Sequence, residues 1–266
     1  MVSRGLETII SRSLLSKAAL CSSKLEKISS KRMIGLLGLT EDRNSSFQRG
    51  ASNAPSHIRQ HFLMPSVNSW CELGVDLHDR IIDYGDIQPE ERHHRDIYDA
   101  IRCKMDEIQR IDGLVPLILG GDHSITFSTC TAVRNFVGKP LVIIHFDAHP
   151  DIYENFEDNP SSHASPFARI CEVPGLCKKL IQIGIRTLSG EQMPQIAKYG
   201  VEIVEARNFP AKGSDIREIL EKFIISDKEP VYISVDIDVL EPVRKCFVLL
   251  PLDDLQICLR QYYSIF

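Results

Sequence analysis

The segment that decides the fold is LVIIHFDAHPD, residues 141–151. It opens with an apolar run typical of a strand that is buried on both faces of a parallel sheet. His145 lies inside this run, and we interpret it as a hydrogen-bonded buried residue or one that supports the site from behind. Asp147, His149 and Asp151 follow at alternate positions. If the chain stays extended there, alternate residues share a face, so we expect these three side chains to converge.

The rest of the chain alternates between short apolar runs and amphipathic segments. The runs predict strands at Met33–Leu39, Arg80–Ile87 (strand or loop), Val115–Leu119, Leu180–Ile185, Val201–Val204 and Val231–Val235. Helical periodicity predicts helices at Glu91–Ile111, Phe127–Val137 and Lys212–Ser226. Strands that alternate with helices indicate βαβ units. The predicted fold class is therefore α/β, a parallel β-sheet flanked by helices on both faces.

Two further strands are followed by acids or histidines. Asp122 and His123 come after Val115–Leu119 and the pair Gly120–Gly121, while Asp236 and Asp238 come after Val231–Val235. Parallel sheets bind ligands at the carboxyl ends of their strands, so we expect one shared site. Gathered without a cation, these acids and imidazoles would cost several kcal/mol. A pair of divalent cations removes that cost, and carboxylates with imidazoles suit Mn²⁺, and less well Fe²⁺ or Co²⁺.

Each motif taken alone has a structural interpretation. GGDHS, residues 120–124, is compatible with a glycine turn and a helix cap, and Asp236 with Asp238 is compatible with a solvated strand end. DAHPD, residues 147–151, follows a buried strand, where its acids and histidine have no evident structural role. Because all three motifs follow predicted strands, we favour a common site.

Composition excludes several classes of protein. The 266 residues suffice for one large α/β domain or two small ones, and we see no domain boundary after residue 32. A net charge of −5 provides no basic field for nucleic acid. No apolar run approaches the roughly 18 residues of a membrane span. The eight cysteines are scattered without a CxxC pair, so we interpret them as reduced thiols in a reducing compartment.

Residues 1–32 differ from the remainder. They contain two acidic residues, Glu7 and Glu26. They also contain seven basic residues: Arg4, Arg12, Lys17, Lys24, Lys27, Lys31 and Arg32. Serines are frequent, and leucines and isoleucines recur near helical spacing. This profile predicts an organelle transit peptide over residues 1–32, followed by one domain over residues 33–266. The alternative is a disordered basic tail.

The three motifs together resemble a known family. GGDHS, DAHPDIY and SVDIDVLEP are similar to the metal-binding signatures of the arginase/agmatinase ureohydrolases. Residues 147–170, followed by IQIGIRTL at residues 181–188, are especially similar to the mitochondrial arginases of plants. The resemblance runs from about Met33 to Pro242 and implies an arginase/deacetylase-like fold.

The resemblance also implies a cluster of two Mn²⁺ ions. His123 and Asp151 would bind one ion, and His149 and Asp238 the other. Asp147 and Asp236 would bridge both. His163 matches the family's proton-carrying loop histidine, for which a plain surface position is the alternative.

Loops around Asn44–Gly50 and Tyr153–Ser162 would line the substrate pocket of such an enzyme. Tyr153, Asn155 and Ser162 are the candidate substrate-binding residues. Two metal ions about 3.5–4 Å apart lower the pKa of a shared water, so that hydroxide can attack a guanidinium carbon. Asp151 and His163 would then handle protons as the amine leaves. The resemblance to plant arginases favours L-arginine, giving L-ornithine and urea, with agmatine as the alternative substrate.

After about residue 242 the sequence departs from the family pattern, and no counterpart of the family's substrate-binding glutamate follows. We therefore expect a truncated or divergent domain that lacks its final strands and exposes apolar surface on the preceding strand. Loss of the glutamate removes a charge-assisted contact of about 1.5–3 kcal/mol. A catalytically impaired isoform that acts as a non-catalytic subunit is thus an alternative to an active enzyme.

The expected partners are a small-molecule substrate and further copies of the chain, as trimers or hexamers implied by the family. Nucleic acid and membranes are not expected. The expected location is the mitochondrial matrix, with plastid or cytoplasm as alternatives. A metal-dependent amide hydrolase of the deacetylase type is another alternative, but the three motifs fit ureohydrolases better.

Overall fold

The computed structural model describes residues 33–62, 64–70, 76–88, 94–111, 113–208, 220 and 229–240. The transit peptide expected at residues 1–32 and the divergent segment after residue 242 lie outside these residues. Most of the helix expected at Lys212–Ser226 does so as well, and Leu220 is its described member, in helical conformation.

Strands and helices alternate along the described chain. The strands are β1 (Met33–Leu39), β2 (Ile81–Ile87), β3 (Leu114–Leu119), β4 (Leu141–Phe146), β5 (Cys177–Ile185), β6 (Glu202–Glu205) and β7 (Val231–Val235). The helices are α1 (Ala54–Phe62), α2 (His94–Gln109), α3 (Ile125–Val137), α4 (Pro166–Glu172) and α5 (Met193–Tyr199). Short 3₁₀ turns occupy Ala51–Asn53, His78–Arg80, Ala206–Asn208 and Ile237–Val239.

All pairings between these strands are parallel, which confirms the predicted α/β class. The described strands form two sheets rather than one, in the orders β2-β1-β3 and β6-β5-β4-β7. Parallel neighbours need crossover connections, and helices supply most of them. As a result, the carboxyl ends of β4 and β7 lie side by side.

The central strand β4 is buried on both faces, as its apolar sequence predicts. Leu141 and Ile143 belong to the larger core cluster together with Phe167 of α4. Val142 and Ile144 belong to a second cluster that includes the helical residue Leu220. Alternate residues of a strand point to opposite faces, so β4 has helical cover on each side.

Strand β7, at the edge of the sheet formed by the described strands, exposes apolar side chains at its carboxyl end. Val235 is 45% exposed and Ile237, just beyond the strand, is 46% exposed. Among the described strands, β7 pairs with β4. The expectation of a truncated domain after about residue 242 stays a prediction, because residues 241–266 lie outside the described part of the chain.

Three helices were not anticipated from the sequence, namely α1, α4 and α5. They have nine, seven and seven residues, too few for a helical period to stand out. The helix α3 begins at Ile125, two residues before its predicted start at Phe127, because helix boundaries are weakly encoded. No helix among the described residues is long and apolar enough to cross a membrane.

Candidate metal centre

Six acidic and imidazole side chains gather where three strands end. His123 follows β3, and Asp147, His149 and Asp151 follow β4. Asp236 and Asp238 follow β7. The structure therefore brings together the six residues that the family resemblance implies as metal ligands. Asp122, which the sequence also placed at this edge, instead accepts hydrogen bonds from Asn44 N and Ser124 N.

His123 marks one side of the cluster. Its Nδ1 atom lies 2.9 Å from Asp151 Oδ2, 3.3 Å from Asp147 Oδ2 and 3.8 Å from Asp236 Oδ2. This buried nitrogen has no hydrogen-bond partner among the described residues. Its Nε2 atom lies 2.8 Å from the hydroxyl of Ser234 on β7. A buried nitrogen surrounded by three carboxylate oxygens fits a bound cation, since unpaired buried polar atoms are otherwise costly.

His149 marks the other side. Its Nδ1 atom lies 3.1 Å from Asp238 Oδ2 and 3.3 Å from Asp147 Oδ1. The second oxygen of Asp238 accepts a hydrogen bond from Ala148 N, at 3.0 Å. Asp238 N in turn donates to Asp236 Oδ1 at 2.9 Å. These bonds hold the loop after β7 against the loop after β4.

Asp147 connects the two sides. One of its carboxylate oxygens faces His123 and the other faces His149. Potential ligand atoms fall into two groups, each within 4.8 Å, and both contain Asp147: His123 with His145, and His149 with Asp238. A carboxylate shared between two such groups is suited to bridge two cations.

The segment after β4 reaches this arrangement by turning, so the condition of an extended segment, from which convergence was expected, is not met. Asp151 has a positive φ of 44°. His149 N donates to Asp147 Oδ1 at 2.7 Å, and Phe167 N donates to Asp151 O at 3.2 Å. These bonds curl the backbone around the Asp147 carboxylate. Convergence of the three side chains comes from the turn rather than from strand alternation.

In the absence of metal, the side chains of the cluster shift the pKa values of one another. Burial lowers the pKa of His149, but hydrogen bonds to Asp147 and Asp238 outweigh it and raise this pKa to about 10. Burial and the negative charges of Asp147 and Asp238 raise the pKa of Asp236 to about 8. Burial also opposes ionisation of Asp147, yet its interactions with His145, His123 and His149 hold its pKa well below the usual range.

His145 supports Asp147 from behind, in line with the sequence interpretation. Gln182 Nε2 donates to Pro150 O at 2.6 Å and to His145 Nδ1 at 3.1 Å. Because His145 Nδ1 then accepts, His145 Nε2 carries the proton and donates to Asp147 Oδ2 at 2.9 Å. Burial lowers the pKa of His145, which keeps the ring neutral. With both nitrogens engaged, His145 is a supporting residue rather than a cation ligand.

Two supporting residues, Gln182 and Ser234, were missed by the sequence analysis. Both lie inside strands, at positions paired with His145. A polar residue within an otherwise apolar strand was the available signal. Phe167 completes the support, because its ring centroid lies 4.0 Å from that of His145 and 5.4 Å from that of His123.

His163 lies in the loop expected to carry it and contacts the loop after β1. His163 Nε2 is 2.9 Å from the hydroxyl of Ser46, and His163 N donates to Asn44 O at 3.1 Å. Asn44 N donates to Asp122 Oδ2 at 3.0 Å. Asp122 therefore anchors a loop and also accepts from Ser124 N, as a turn or cap residue would.

The three candidate substrate-binding residues lie in different surroundings. The Tyr153 hydroxyl donates to Ser189 Oγ at 2.9 Å. Asn155 is exposed. Ser162 is 2% exposed, and its hydroxyl accepts from Ala164 N at 3.3 Å. Of the three, Asn155 is thus the most open to a ligand.

Gly121 is required for the close approach of two loops. Asp122 N donates to Glu41 O at 2.7 Å, and a Cβ atom on Gly121 would overlap this backbone carbonyl. We expect Gly121→Ala to lower the free energy of unfolding by about 1–3 kcal/mol, as overpacking does. Urea denaturation measures the effect. Gly190→Ala is the control, because nothing lies within 4 Å of a Cβ there; equal stability of the two variants would contradict the expectation.

Comparisons with known proteins show which sequences and structures this chain is similar to. The arginase family model matches residues 32–244. A mitochondrial arginase of Medicago truncatula is 42% identical over 219 residues, covering 78% of this chain and 62% of the relative. Arginase 2, chloroplastic/mitochondrial, of Arabidopsis thaliana is 40% identical over 224 residues, covering 80% and 62%. The chain thus spans less than two thirds of the length of these relatives.

A solved structure of arginase from Medicago truncatula is also similar. It superposes with a TM-score of 0.71 at 37% identity, covering 84% of this chain and 71% of the other.

Proposed function

This chain belongs to the arginase family, and we propose that it is a manganese-dependent ureohydrolase that converts L-arginine to L-ornithine and urea. The observation that carries the proposal is the Asp147 carboxylate, with one oxygen toward His123 and the other toward His149. Similarity to plant arginases favours L-arginine over agmatine.

We assign the ligands as the family resemblance implies, and the contacts of the two imidazoles with Asp151 and Asp238 support this division. His123 and Asp151 would hold one cation, and His149 and Asp238 the other. Asp147 and Asp236 would bridge them. Four carboxylates and two imidazoles, with no thiolate, suit Mn²⁺. When bound, such a pair of cations supplies an ionised water at neutral pH and polarises the substrate.

The side chains of the cluster and of the loop beside it would carry out the proton transfers. Asp151 would accept a proton as the guanidinium carbon is attacked, since its carboxylate faces the interior of the cluster beside His123. His163 would exchange protons with solvent and protonate the departing amine. Ser46, hydrogen-bonded to His163 Nε2, would orient the imidazole for this role.

The loops at residues 44–50 and 153–162 would form the rim of the substrate pocket. Asn159 Nδ2 donates to Asn44 Oδ1 at 3.3 Å, which ties the two loops together. Tyr153, Asn155 and Ser162 remain the candidate residues for binding or shaping this pocket. Ser162 would act by holding its loop, since its side chain is buried.

Metal affinity is expected to rise with pH. In the metal-free chain His149 has a pKa of about 10 and Asp236 a pKa of about 8, so both hold protons at neutral pH. Metal ligands must lose their protons. Binding of Mn²⁺ should therefore release protons. The affinity for Mn²⁺ should increase as the pH rises through about 8, and it should increase further as the pH approaches about 10. Calorimetric titration in two buffers of different ionisation enthalpy measures the released protons. A pH-independent affinity would contradict the assignment of these two ligands.

His145 is expected to contribute to metal affinity without binding the metal. His145→Phe removes the hydrogen bond that orients Asp147, so affinity for Mn²⁺ should fall by about 10–100-fold, as is typical of residues behind a ligand. Gln195→Leu is the matched control, because it alters a buried polar side chain outside the site. Calorimetric titration with Mn²⁺ provides the measurement. An unchanged affinity would show that His145 does not contribute to metal binding.

The deciding experiment is a urea assay on the full chain after loading with Mn²⁺, with L-arginine and agmatine tested separately. Turnover of L-arginine supports the proposal, while turnover of agmatine alone reassigns the substrate. Metal binding without urea from either compound would favour the alternative of a non-catalytic subunit, which co-purification with an intact homologue would test.

We also propose a mitochondrial matrix location and a homo-oligomeric assembly. The location is supported by the basic, serine-rich residues 1–32 and by the names of the plant relatives. Plastid and cytoplasm are the alternatives. Imaging of a fluorescent fusion of the full chain tests the location, and sedimentation of the metal-loaded chain tests for a trimer or hexamer.

A further inference from the structure

Two cysteines lie at the ends of one tight turn. Cys171 is in the last turn of α4 and Cys177 is the first residue of β5. Between them, Leu176 N donates to Val173 O at 3.1 Å, and Gly175 has a φ of 72°. Cys177 lies at the amino end of its strand, whereas the metal-centre residues follow the carboxyl ends of strands. The pair is therefore outside the site already described.

The turn holds the two thiols against each other. The side chains of Cys171 and Cys177 pack against the same core cluster, and the two thiols are near enough to interact. Arg134 of α3 fixes the turn from the side, because its Nε donates to Gly175 O at 3.1 Å. The two thiols thus face each other across a turn that is closed by its own hydrogen bond and anchored to a neighbouring helix.

The surroundings distinguish this pair from the other described cysteines. Cys171 and Cys177 are both partly buried, so a small oxidant can reach them. Cys130 is completely buried, and Cys103 is exposed on α2. Only a thiol with a neighbouring thiol can close to an intramolecular disulfide, and the turn provides that neighbour here.

We propose that Cys171 and Cys177 form an oxidisable dithiol that closes to an intramolecular disulfide on reaction with a peroxide. The thiolate of one cysteine attacks a peroxide oxygen and becomes a sulfenic acid, while the released hydroxide takes up a proton. The sulfur of the second thiol then displaces the sulfenic oxygen, which leaves as water. Overall, two thiols and one hydrogen peroxide give one disulfide and two waters.

The closed form would fasten the end of α4 to the start of β5. Phe167, at the other end of α4, packs against the rings of His123 and His145. The neighbouring thiol of Cys177 and burial raise the pKa of Cys171. Because thiolate is the reactive form, closure should be slow at neutral pH and faster at alkaline pH.

The test uses the unmodified full chain, reduced and freed of reductant. It is treated with hydrogen peroxide, blocked with N-ethylmaleimide and cut with trypsin. Arg169 and Lys178 flank the pair, so both cysteines fall in one peptide, residues 170–178. We expect this peptide to lose both alkylation sites and to weigh two hydrogens less than the dithiol, and dithiothreitol to restore both sites. A peptide that keeps two alkyl groups, or gains only sulfinic oxygen, would overturn the proposal.

Variants separate a true pair from independent oxidation. Cys130→Ser should leave closure unchanged. Cys177→Ser should prevent it and leave Cys171 as a sulfenic acid that dimedone traps. Closure that persists without Cys177 would overturn the pairing. If the variant does not fold, the peptide from the unmodified chain still decides the matter.

Discussion

Replacing Asp147 with asparagine is expected to abolish the coupled binding of two metal ions and to reduce urea production by well over a hundredfold. Loss of a residue that only orients a metal ligand already lowers metal affinity or activity by about 10–100-fold. Asp147 itself faces both imidazoles of the cluster. The substitution removes a negative charge while keeping the shape of the side chain. The measurements are calorimetric Mn²⁺ titration and the urea assay with L-arginine.

Asp79→Asn provides the control for Asp147→Asn. It makes the same chemical change at an exposed position outside the proposed substrate loops, and both affinity and activity should stay near those of the unmodified chain. If Asp147→Asn also kept full affinity, the carboxylate would not be the bridge that we propose. Circular dichroism would establish that the variant is folded before either result is interpreted.

Replacing His163 with asparagine is expected to lower kcat by about 10²–10⁴-fold, the usual contribution of general acid–base catalysis. Affinity for Mn²⁺ should not change, because His163 contacts Ser46 and Asn44 rather than the cluster residues. Added imidazole should restore part of the activity if the lost function is proton transfer. Steady-state kinetics at saturating L-arginine provide the measurement.

His57→Asn is the matched control for His163→Asn, since His57 lies on α1 with its Nδ1 atom 3.0 Å from Asn53 O. Its kcat should equal that of the unmodified chain. Ser46→Ala should have a smaller effect than loss of the imidazole itself, because only the orientation of His163 is released. A kcat for His163→Asn within the error of the control would remove His163 from the mechanism.

The part of the site that follows buried strands could be predicted from the sequence. The apolar run of β4 is strong enough to place Asp147 at a strand end, and the same holds for Asp236 after β7. Parallel strands share an edge, so convergence of the acids required no further information. The family resemblance then supplied the division of the ligands between two ions.

Other features depend on contacts that no local pattern encodes. Asp151 combines a positive φ with a hydrogen bond that its carbonyl accepts from Phe167 N of α4, a contact between separate segments of the chain. Gln182 and Ser234 became visible as supporting residues only once strand register placed them beside His145. The short helices α1, α4 and α5 are held by tertiary packing, which outweighs their weak periodicity.

We propose above all that His123, His149 and the four carboxylates enclose two cations. Equilibrium dialysis with Mn²⁺, followed by electron paramagnetic resonance of the loaded chain, tests it most directly. We predict two bound ions per chain with a spin-coupled signal, and loss of the coupling in Asp147→Asn. A single isolated Mn²⁺ signal at saturation, or no tight binding in the folded chain, would contradict the claim.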